Sequence, residues 1–472
     1  MDILWKYLKK YWKLCLLVLF LASVNQIFSL LDPYIFKHVI DGYATKFDKY
    51  TLTEFFRGVS FLLLLAVGAA FVSRVAKNFQ DYYLNNISQR LGAELYADGV
   101  KHSLDLPYAV FEDQRSGETL NFLQKARTDV EKLMASAINV TFVSLIGFIF
   151  VTIYAMNLYW GIALAYGLTI PIIGGISYFL SKKVKNIQQT IVMETASLAG
   201  STTESLRNIE LVKSLGLASQ EIERLNTTTN RILDLELKKL RYIRSVSFVQ
   251  GTLINLLRTS ILLFMMVLIF LKTITFGEFF TLFVYSFFVF GPLQEIGAVI
   301  NTYREAEASL IKFKKILDMP VEEVPIKPVH LEKVELLEFK NVSFLYPSSK
   351  NSAVENMSFK MEKGETVAFV GPSGSGKTSV VKLLVGLYNP TKGNVLYNNI
   401  SYSDIDLKDL RKQIGFVTQD TQLFAGTIRE NLLFVYPNAT DAECLEVLHK
   451  SACDGLLARA DKGLDTVIGE GG

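Results

Sequence analysis

The chain has 472 residues, of which 50% are hydrophobic and 20% are charged, with a formal net charge of +3 at pH 7. The high apolar content excludes an intrinsically disordered chain, and three cysteines are too few for a disulfide-built secreted scaffold. Because 49 basic residues are balanced by 46 acidic ones, the composition predicts no nucleic-acid partner.

Apolar segments in the N-terminal part of the chain predict a helical membrane domain with six spans. Residues 133–181 contain no Asp, Glu, Lys or Arg. Since one spanning helix needs about 20 apolar residues, this stretch predicts two spans joined by a turn at residues 157–161. Lysines interleaved with Trp and Tyr before the first span favour an interfacial helix over a cleaved signal peptide. The other four predicted spans are residues 14–31, 58–76, 245–271 and 279–303.

Basic residues in the loops set the predicted orientation. Residues 74–132 and 182–244 are rich in Lys and Arg, whereas the turns at 157–161 and 272–277 carry one basic residue between them. Because the basic side is cytoplasmic, both termini are predicted to lie in the cytoplasm. The predicted location is a bacterial cytoplasmic membrane, with residues 32–56 as the main external loop. Helical spacing predicts that each basic segment forms a helical hairpin reaching about 40 Å from the membrane. The alternative is that each basic segment packs independently as a small helical domain.

Polar groups within the spans are candidate substrate contacts. Arg258 is a full charge inside the fifth span, and such a charge costs about 2.5 kcal/mol or more, so it usually faces a wet cavity or a partner. It predicts either a contact to an anionic substrate or a side chain that snorkels to the inner surface. The other polar residues suited to a substrate cavity are Asn25, Gln26, Asn139, Gln250 and Asn255.

The sequence pattern changes after the last span. Pro320, Pro325 and Pro328 punctuate a segment that is typical of a linker, and short strand-like runs follow it. The predicted organisation is therefore a transmembrane domain at residues 1–310, a linker at residues 311–334 and a second domain at residues 335–472.

A glycine-rich phosphate-binding loop is the most specific motif in the chain. Residues 371–378, Gly-Pro-Ser-Gly-Ser-Gly-Lys-Thr, match the P-loop pattern at every fixed position. Glycines let backbone N–H groups point at a phosphate, Lys377 would neutralise the β- and γ-phosphates, and the Thr378 hydroxyl would bind magnesium. The predicted nucleotide-binding residues here are Gly371, Ser373, Gly374, Ser375, Gly376, Lys377, Thr378 and Ser379. The elements predicted around them are strands at residues 338–345 and 366–370 and a helix at residues 379–387.

With these features in this order, the chain resembles an ATP-binding cassette (ABC) exporter of the half-transporter kind, in which one six-span domain is fused to one cassette. The run Phe344-Leu-Tyr-Pro resembles the family's adenine-stacking segment, which implies that Tyr346 stacks on the base. The run Ile414-Gly-Phe-Val-Thr-Gln-Asp resembles the family's Q-loop. There the glutamine contacts magnesium and the attacking water, which implies Lys377 and Gln419 as catalytic residues and Thr378 and Gln419 as metal ligands.

The resemblance also implies a fold and a function. The fold class is an α-helical membrane domain plus an α/β P-loop NTPase domain that is incomplete at its C-terminal end. Residues 107–118 and 208–214 look like coupling helices that dock on a cassette. The implied function is ATP-driven export or flipping of a lipid, an amphipathic drug or a peptide, with ATP and Mg²⁺ as cofactors. The implied partners are the bilayer and a second half-transporter, identical or different. A nucleotide-gated channel or membrane sensor on the same scaffold is the alternative.

Some family motifs do not occur in these 472 residues. The resemblance implies an LSGGQ signature, a magnesium-binding Asp, a catalytic Glu and a switch His after the Q-loop. The segment Thr427-Ile-Arg-Glu-Asn and the run Ile468-Gly-Glu-Gly-Gly also fit the family pattern, but the signature itself is not found. We therefore expect the chain as written to have negligible ATPase activity by itself.

Overall fold

The computed structural model describes residues 2–113, 116–322, 325, 327–347, 349–418 and 423–469. These residues form two compact units. The first comprises Met1–Leu106 and Gln114–Val321, and the second comprises Pro107–Asp113 and Glu322–Gly472.

Long helices dominate the first unit. In chain order they are α1 (Asp2–Leu8), α2 (Trp12–Gly42), α3 (Leu52–Leu104), α5 (Ser116–Ser136), α6 (Val143–Leu158), α7 (Trp160–Arg207), α8 (Ile209–Ser214), α9 (Ala218–Phe270) and α10 (Phe276–Leu317). The short helix α4 (Tyr108–Asp113) belongs to the second unit. A π-helical turn, Ala137–Phe142, joins α5 to α6.

Among the described residues, five helical segments are long and apolar enough to cross a membrane by length and composition. They are Asp2–Lys49, Leu52–Leu104, Phe122–Leu158, Ala218–Phe270 and Phe276–Leu317. The fourth predicted span falls in α7, where the described residues include the apolar segment Trp160–Gly175. The predicted turn between the third and fourth spans is confirmed, because the extended backbone of Tyr159 separates α6 from α7. The helical membrane domain of the predicted fold class is thus present.

The cytoplasmic hairpins predicted from the sequence are direct continuations of the spans. Helices α3 and α9 each run for 53 residues without a break, which corresponds to about 80 Å of helix. In the first hairpin, Leu91 of α3 and Val130 of α5 are fully buried in one cluster. Phe313 of α10 lies in the same cluster, so a third helix braces this hairpin, which the hairpin prediction did not include.

The start of the predicted linker is helical. Helix α10 continues to Leu317, and therefore covers the first seven residues of the 311–334 segment. The physical reason is burial: Phe313 is 1% exposed and Ile316 is 6% exposed, so packing extends the helix beyond the apolar span. The predicted domain boundaries themselves stay a prediction.

Tyrosine hydroxyls tie helices of the first unit together. Tyr285 of α10 donates a hydrogen bond to the Leu30 carbonyl at 2.6 Å, and Tyr166 of α7 donates to the Leu282 carbonyl at 2.9 Å. Both rings are fully buried in the main apolar cluster of this unit. Burial of an aromatic ring with a satisfied hydroxyl is the arrangement that stabilises such a helix contact.

The second unit contains sheets covered by short helices. Its strands are β1 (Leu336–Phe344), β2 (Val354–Glu362), β3 (Lys392–Tyr397), β4 (Ile400–Ser401), β5 (Gly426–Thr427) and β6 (Val467–Ile468). Its other helices are α11 (Lys377–Leu384), α12 (Leu407–Lys412), α13 (Ile428–Val435), α14 (Asp441–Lys450) and α15 (Asp454–Leu457). The larger sheet has the order β2-β1-β3-β4 with antiparallel pairs, and β5 pairs with β6. Its core buries Phe339, Val342, Val395 and Ile405 almost completely.

One predicted strand is wrong. The strand at 338–345 is confirmed as β1, whereas residues 366–370 form no strand. A strand needs a hydrogen-bonded neighbour, and no strand in the described part of the chain pairs with this segment. Val370 is consequently 90% exposed. The predicted helix at 379–387 is confirmed in position as α11 but ends at Leu384, because Gly386 takes a left-handed conformation with φ of +67°.

Candidate functional site

The glycine-rich loop before α11 has a backbone shape that requires glycine at two positions. Gly374 and Gly376 have φ of +82° and +87°, a region that side-chain-bearing residues rarely adopt. At Gly376, a Cβ would lie 2.2 Å from the carbonyl oxygen of Ala353. The loop therefore packs directly on the chain that enters β2, and its curvature is built into the sequence.

The loop leads into the N-terminus of α11 without a side-chain cap. The N-cap residue is Gly376, which has no side chain that could accept a hydrogen bond from the first turn of the helix. The first four N–H groups of a helix have no partner inside the helix, and the helix dipole adds positive potential there. A curved loop that ends at an uncapped helix N-terminus is a cradle for a phosphate group.

Lys377 lies over this cradle. Its Nζ atom donates hydrogen bonds to the carbonyl oxygens of Gly371 and Pro372, each at 2.9 Å. These are neutral acceptors, and a phosphate oxygen forms a stronger, charge-assisted bond with an ammonium group. The lysine is thus held by weak partners at the position where a phosphate would displace them.

The hydroxyl residues of the motif divide into two groups. Ser373, Ser375 and Thr378 are exposed, so their hydroxyls can reach a ligand. Ser379 is only 6% exposed, and its Oγ lies 3.0 Å from the hydroxyl of Tyr346. Ser379, predicted to bind the nucleotide, therefore contacts Tyr346, predicted to stack on the adenine.

Tyr346 belongs to an aromatic cluster that the sequence did not predict. Its ring meets Phe344 at 4.7 Å and Tyr388 at 5.3 Å between centroids, both edge-on. The ammonium group of Lys382 lies 5.9 Å from its ring centroid. Aromatic contacts of this geometry stabilise the cluster. The position of Tyr388 just after α11 is the only sequence signal for it, and that signal is weak.

The same cluster includes the segment predicted as the first coupling helix. Tyr108 of α4 packs edge-on against Tyr388, with centroids 5.6 Å apart, and lies 5.5 Å from the Lys382 ammonium group. Ala109 packs against the core of the second unit. A continuous path of contacts thus runs from Ser379 through Tyr346 and Tyr388 to Tyr108.

The structure describes one of the two predicted magnesium ligands. Thr378 lies in the first turn of α11, beside Lys377, and its hydroxyl oxygen is a hard ligand of the type that Mg²⁺ prefers. Gln419 and Asp420 lie outside the described residues. The pairing of Thr378 with Gln419 stays a prediction.

The segment 427–431 has a structural explanation. Thr427 is the N-cap of α13 and forms a capping box with Glu430, while the Asn431 side chain bonds both the N–H and the carbonyl of Phe424. Arg429 forms ion pairs with Asp441 and Asp465, which raise the pKa of its guanidinium and lower the pKa of the Asp465 carboxyl. The residues of this motif cap the N-terminus of α13 and connect it to the neighbouring segments.

Within the first unit, Arg258 has a defined environment. Its guanidinium lies 5.1 Å from the centroid of the Phe287 ring, and its Nη2 atom donates to Asn255 at 3.3 Å. Its buried Nε atom has no hydrogen-bond partner among the described residues. The side chain is half-buried, so it combines a cation–π contact with an unused donor, as a ligand-binding cation would.

The other polar candidates within the spans mostly bond to neighbouring helices. Asn25 accepts a hydrogen bond from Ser73 through its side chain at 2.9 Å, and Gln26 is 6% exposed. Asn139, in the π-helical turn, accepts from Lys77 at 2.9 Å and from Gln80 at 2.8 Å. The contacts of Asn25 and Asn139 hold helices together, so these two residues are weaker candidates for substrate than Asn255 and Arg258.

Comparison with protein families gives two matches. The family described as ABC transporter transmembrane region matches residues 15–293, and the family described as ABC transporter matches residues 354–466. The first match alone covers more than half of the chain.

Individual relatives agree with these matches. An ATP-dependent lipid A-core flippase of Pasteurella multocida (strain Pm70) is 27% identical over 436 residues, which cover 89% of this chain and 72% of the relative. A multidrug resistance ABC transporter ATP-binding and permease protein of Lactococcus lactis subsp. lactis (strain IL1403) is 26% identical over 416 residues, 88% of this chain and 70% of the relative. A solved structure of a bacterial Atm1-family ABC exporter with ATP bound has the same fold, with a TM-score of 0.84 at 21% identity, covering 98% of this chain and 80% of that one.

Proposed function

Since the chain belongs to the ABC transporter family, whose transmembrane region matches residues 15–293, we propose that it is a half-transporter that uses ATP to export or flip a lipid or another amphipathic molecule. The observation that carries the proposal is the combination, in one chain, of apolar membrane helices with a phosphate cradle formed by Gly374, Gly376 and Lys377. The chain is a multi-pass membrane protein with an ATP-binding domain.

The finer features of the proposal follow the family. Two half-transporters, identical or different, would act together, with both termini in the cytoplasm and a domain boundary at residues 311–334. The names of the relatives, a lipid A-core flippase and a multidrug resistance transporter, support an apolar or amphipathic substrate. A peptide is the third substrate class that the family resemblance implies.

The nucleotide site would work mainly by positioning and charge neutralisation. Backbone N–H groups of the loop would hold the phosphates, and Lys377 would exchange its carbonyl partners for phosphate oxygens. Mg²⁺, held by Thr378 and Gln419, would neutralise the charge on the phosphates. Tyr346 would stack on the adenine while Ser379 fixes its hydroxyl. The aromatic path to Tyr108 would carry the nucleotide state to α4.

Transport by the complete protein in proteoliposomes tests this function. We expect ATP-dependent movement of fluorescent phosphatidylethanolamine between leaflets, or ATP-dependent accumulation of the amphipathic dye Hoechst 33342. The Lys377→Ala variant should lose this activity, whereas Lys340→Ala, which removes an exposed cation on β1, should keep it. Failure of both probes would contradict the proposed substrate class. Passive flux that a nonhydrolysable ATP analogue opens would favour the nucleotide-gated channel.

Arg258 gives a prediction about the substrate. If it binds an anionic group, Arg258→Ala should weaken transport of an anionic amphiphile by roughly tenfold, because a charged hydrogen bond contributes about 1.5 kcal/mol or more. Transport of a cationic dye should be unchanged. Arg258→Lys, which keeps the charge, should lose less than Arg258→Ala. Equal transport of the anionic amphiphile by the wild type and Arg258→Ala would exclude this contact.

A further inference from the structure

A cavity in the first unit lies where the α2–α3 connection meets the beginning of α3. Its volume is about 850 Å³, and its walls include Tyr43, Tyr50 and Phe61 together with the cations Lys49 and Arg57. It lies far along the chain from the nucleotide loop, and none of its residues has a role in the function proposed above.

Local packing builds the walls of this cavity. The Tyr43 ring rests on the backbone of Gly58, where a Cβ would lie 2.1 Å from the tyrosine hydroxyl oxygen. Tyr43 also contacts Tyr50 in a tilted arrangement, with centroids 5.0 Å apart, and meets Phe55 edge-on at 6.1 Å. Gly58 therefore permits an aromatic wall that any larger residue would displace.

The charges at the cavity favour an anion. Lys49 and Arg57 are exposed, and neither head group has a hydrogen bond or ion pair within the described ranges. The lining carboxylate, Glu54, is already used: it accepts from the N–H of Thr51 at 3.0 Å and from its hydroxyl at 2.8 Å. The cavity is thus lined by two cations without a described polar partner and by one carboxylate that caps its own helix.

The cavity continues onto an apolar surface. Arg57, Phe61 and Leu64 are spaced by four and three residues, which places them on one face of α3. Phe61 is 62% exposed and Leu64 is 70% exposed. About 10 Å of helix separates Arg57 from Leu64. This face therefore pairs a cationic end with an apolar end, at the edge of an apolar span.

From this arrangement we propose that the cavity binds an anionic membrane lipid. Lys49 and Arg57 hold its phosphate, the tyrosines pack against the headgroup, and Phe61 and Leu64 contact the acyl chains. A free phosphate offers the same charge but leaves the apolar wall without a partner. The proposed lipid site requires that this end of α3 lies at a membrane surface. It does not depend on which of the two surfaces that is, nor on the transported substrate.

Native mass spectrometry of the whole protein released from micelles tests this site. The probes are phosphatidylglycerol and phosphatidylcholine, which share acyl chains and differ in net charge. We expect phosphatidylglycerol adducts to survive preferentially on the wild type. The double variant Lys49→Gln and Arg57→Gln should lose them by roughly tenfold or more, since each cation near a membrane surface contributes a several-fold effect.

Two matched variants separate charge from fold. Lys49→Arg with Arg57→Lys keeps both charges and should keep the adducts. Lys46→Gln removes an exposed cation of the same connection that does not line the cavity, and it should also keep them. The proposal is overturned if Lys46→Gln reduces the adducts as much as the double variant, if both lipids are retained equally, or if inorganic phosphate alone displaces phosphatidylglycerol. The last result would assign the site to free phosphate. Because no ATP is present, these outcomes do not depend on transport.

Discussion

Replacing Lys377 with alanine is expected to weaken ATP binding by about 30-fold, because each hydrogen bond to a charged group contributes about 2 kcal/mol. The lysine holds its position through hydrogen bonds to the carbonyl oxygens of Gly371 and Pro372. Removing it takes the positive charge from the phosphate cradle and leaves the backbone N–H groups in place. Binding of radiolabelled ATP to the protein in detergent measures the effect without any need for hydrolysis.

The control for this prediction removes an equal charge elsewhere on the same unit. Lys340→Ala eliminates an exposed lysine that pairs with Glu338 at 3.1 Å, and it should leave ATP affinity unchanged. Lys377→Arg should bind ATP more weakly than the wild type, since the larger planar group does not reproduce the compact ammonium contact. Full ATP affinity in Lys377→Ala would show that this loop is not the nucleotide site.

Gly376→Ala is expected to disrupt the loop more severely than any other single methyl group added there. Alanine at a left-handed position costs about 1–2 kcal/mol, and here the new Cβ would also lie 2.2 Å from the Ala353 carbonyl oxygen. The loop or the start of β2 must move, so we expect roughly 4 kcal/mol or more of destabilisation, at the upper end of single substitutions. Hydrogen exchange of the whole protein should show reduced protection in α11, and ATP binding should be lost.

Two other glycines separate backbone strain from steric overlap. Gly374 has φ of +82° and Gly364 has φ of +89°, and a Cβ at either position meets no atom within 4 Å. Gly374→Ala and Gly364→Ala should therefore each cost only the backbone term, about 1–2 kcal/mol. Gly364 lies in the turn after β2, so Gly364→Ala should keep ATP affinity. Equal loss of protection in all three variants would contradict the packing explanation.

The features that the sequence predicted correctly depend on short-range pattern. Apolar runs predict spans because the bilayer sets their length, and the glycine-rich run predicts left-handed backbone, which the structure has at Gly374 and Gly376. The turn near Tyr159 follows from the length of one uncharged run. Each of these inferences needs only neighbouring residues.

The features that the sequence missed depend on long-range contacts. Residues 366–370 have the composition of a strand, but a strand also needs a second strand to which it can hydrogen-bond. The presence of that second strand is not encoded in residues 366–370 themselves. Helix α10 extends to Leu317 because Phe313 finds a buried place among α3 and α5. The cluster of Tyr108, Tyr346 and Tyr388 joins residues up to 280 positions apart, and no periodicity indicates that.

The second unit is discontinuous in sequence, because α4 belongs to it while the polypeptide on both sides of α4 belongs to the first. The chain therefore passes between the units three times, after Leu106, after Asp113 and after Val321. A proteolytic cut in the proline-containing segment after Val321 would break one of three covalent tethers. The fragment released by that cut would lack Ala109 and Tyr108 from its own core. The ATP-binding part of this protein is thus completed by seven residues that the membrane helices carry.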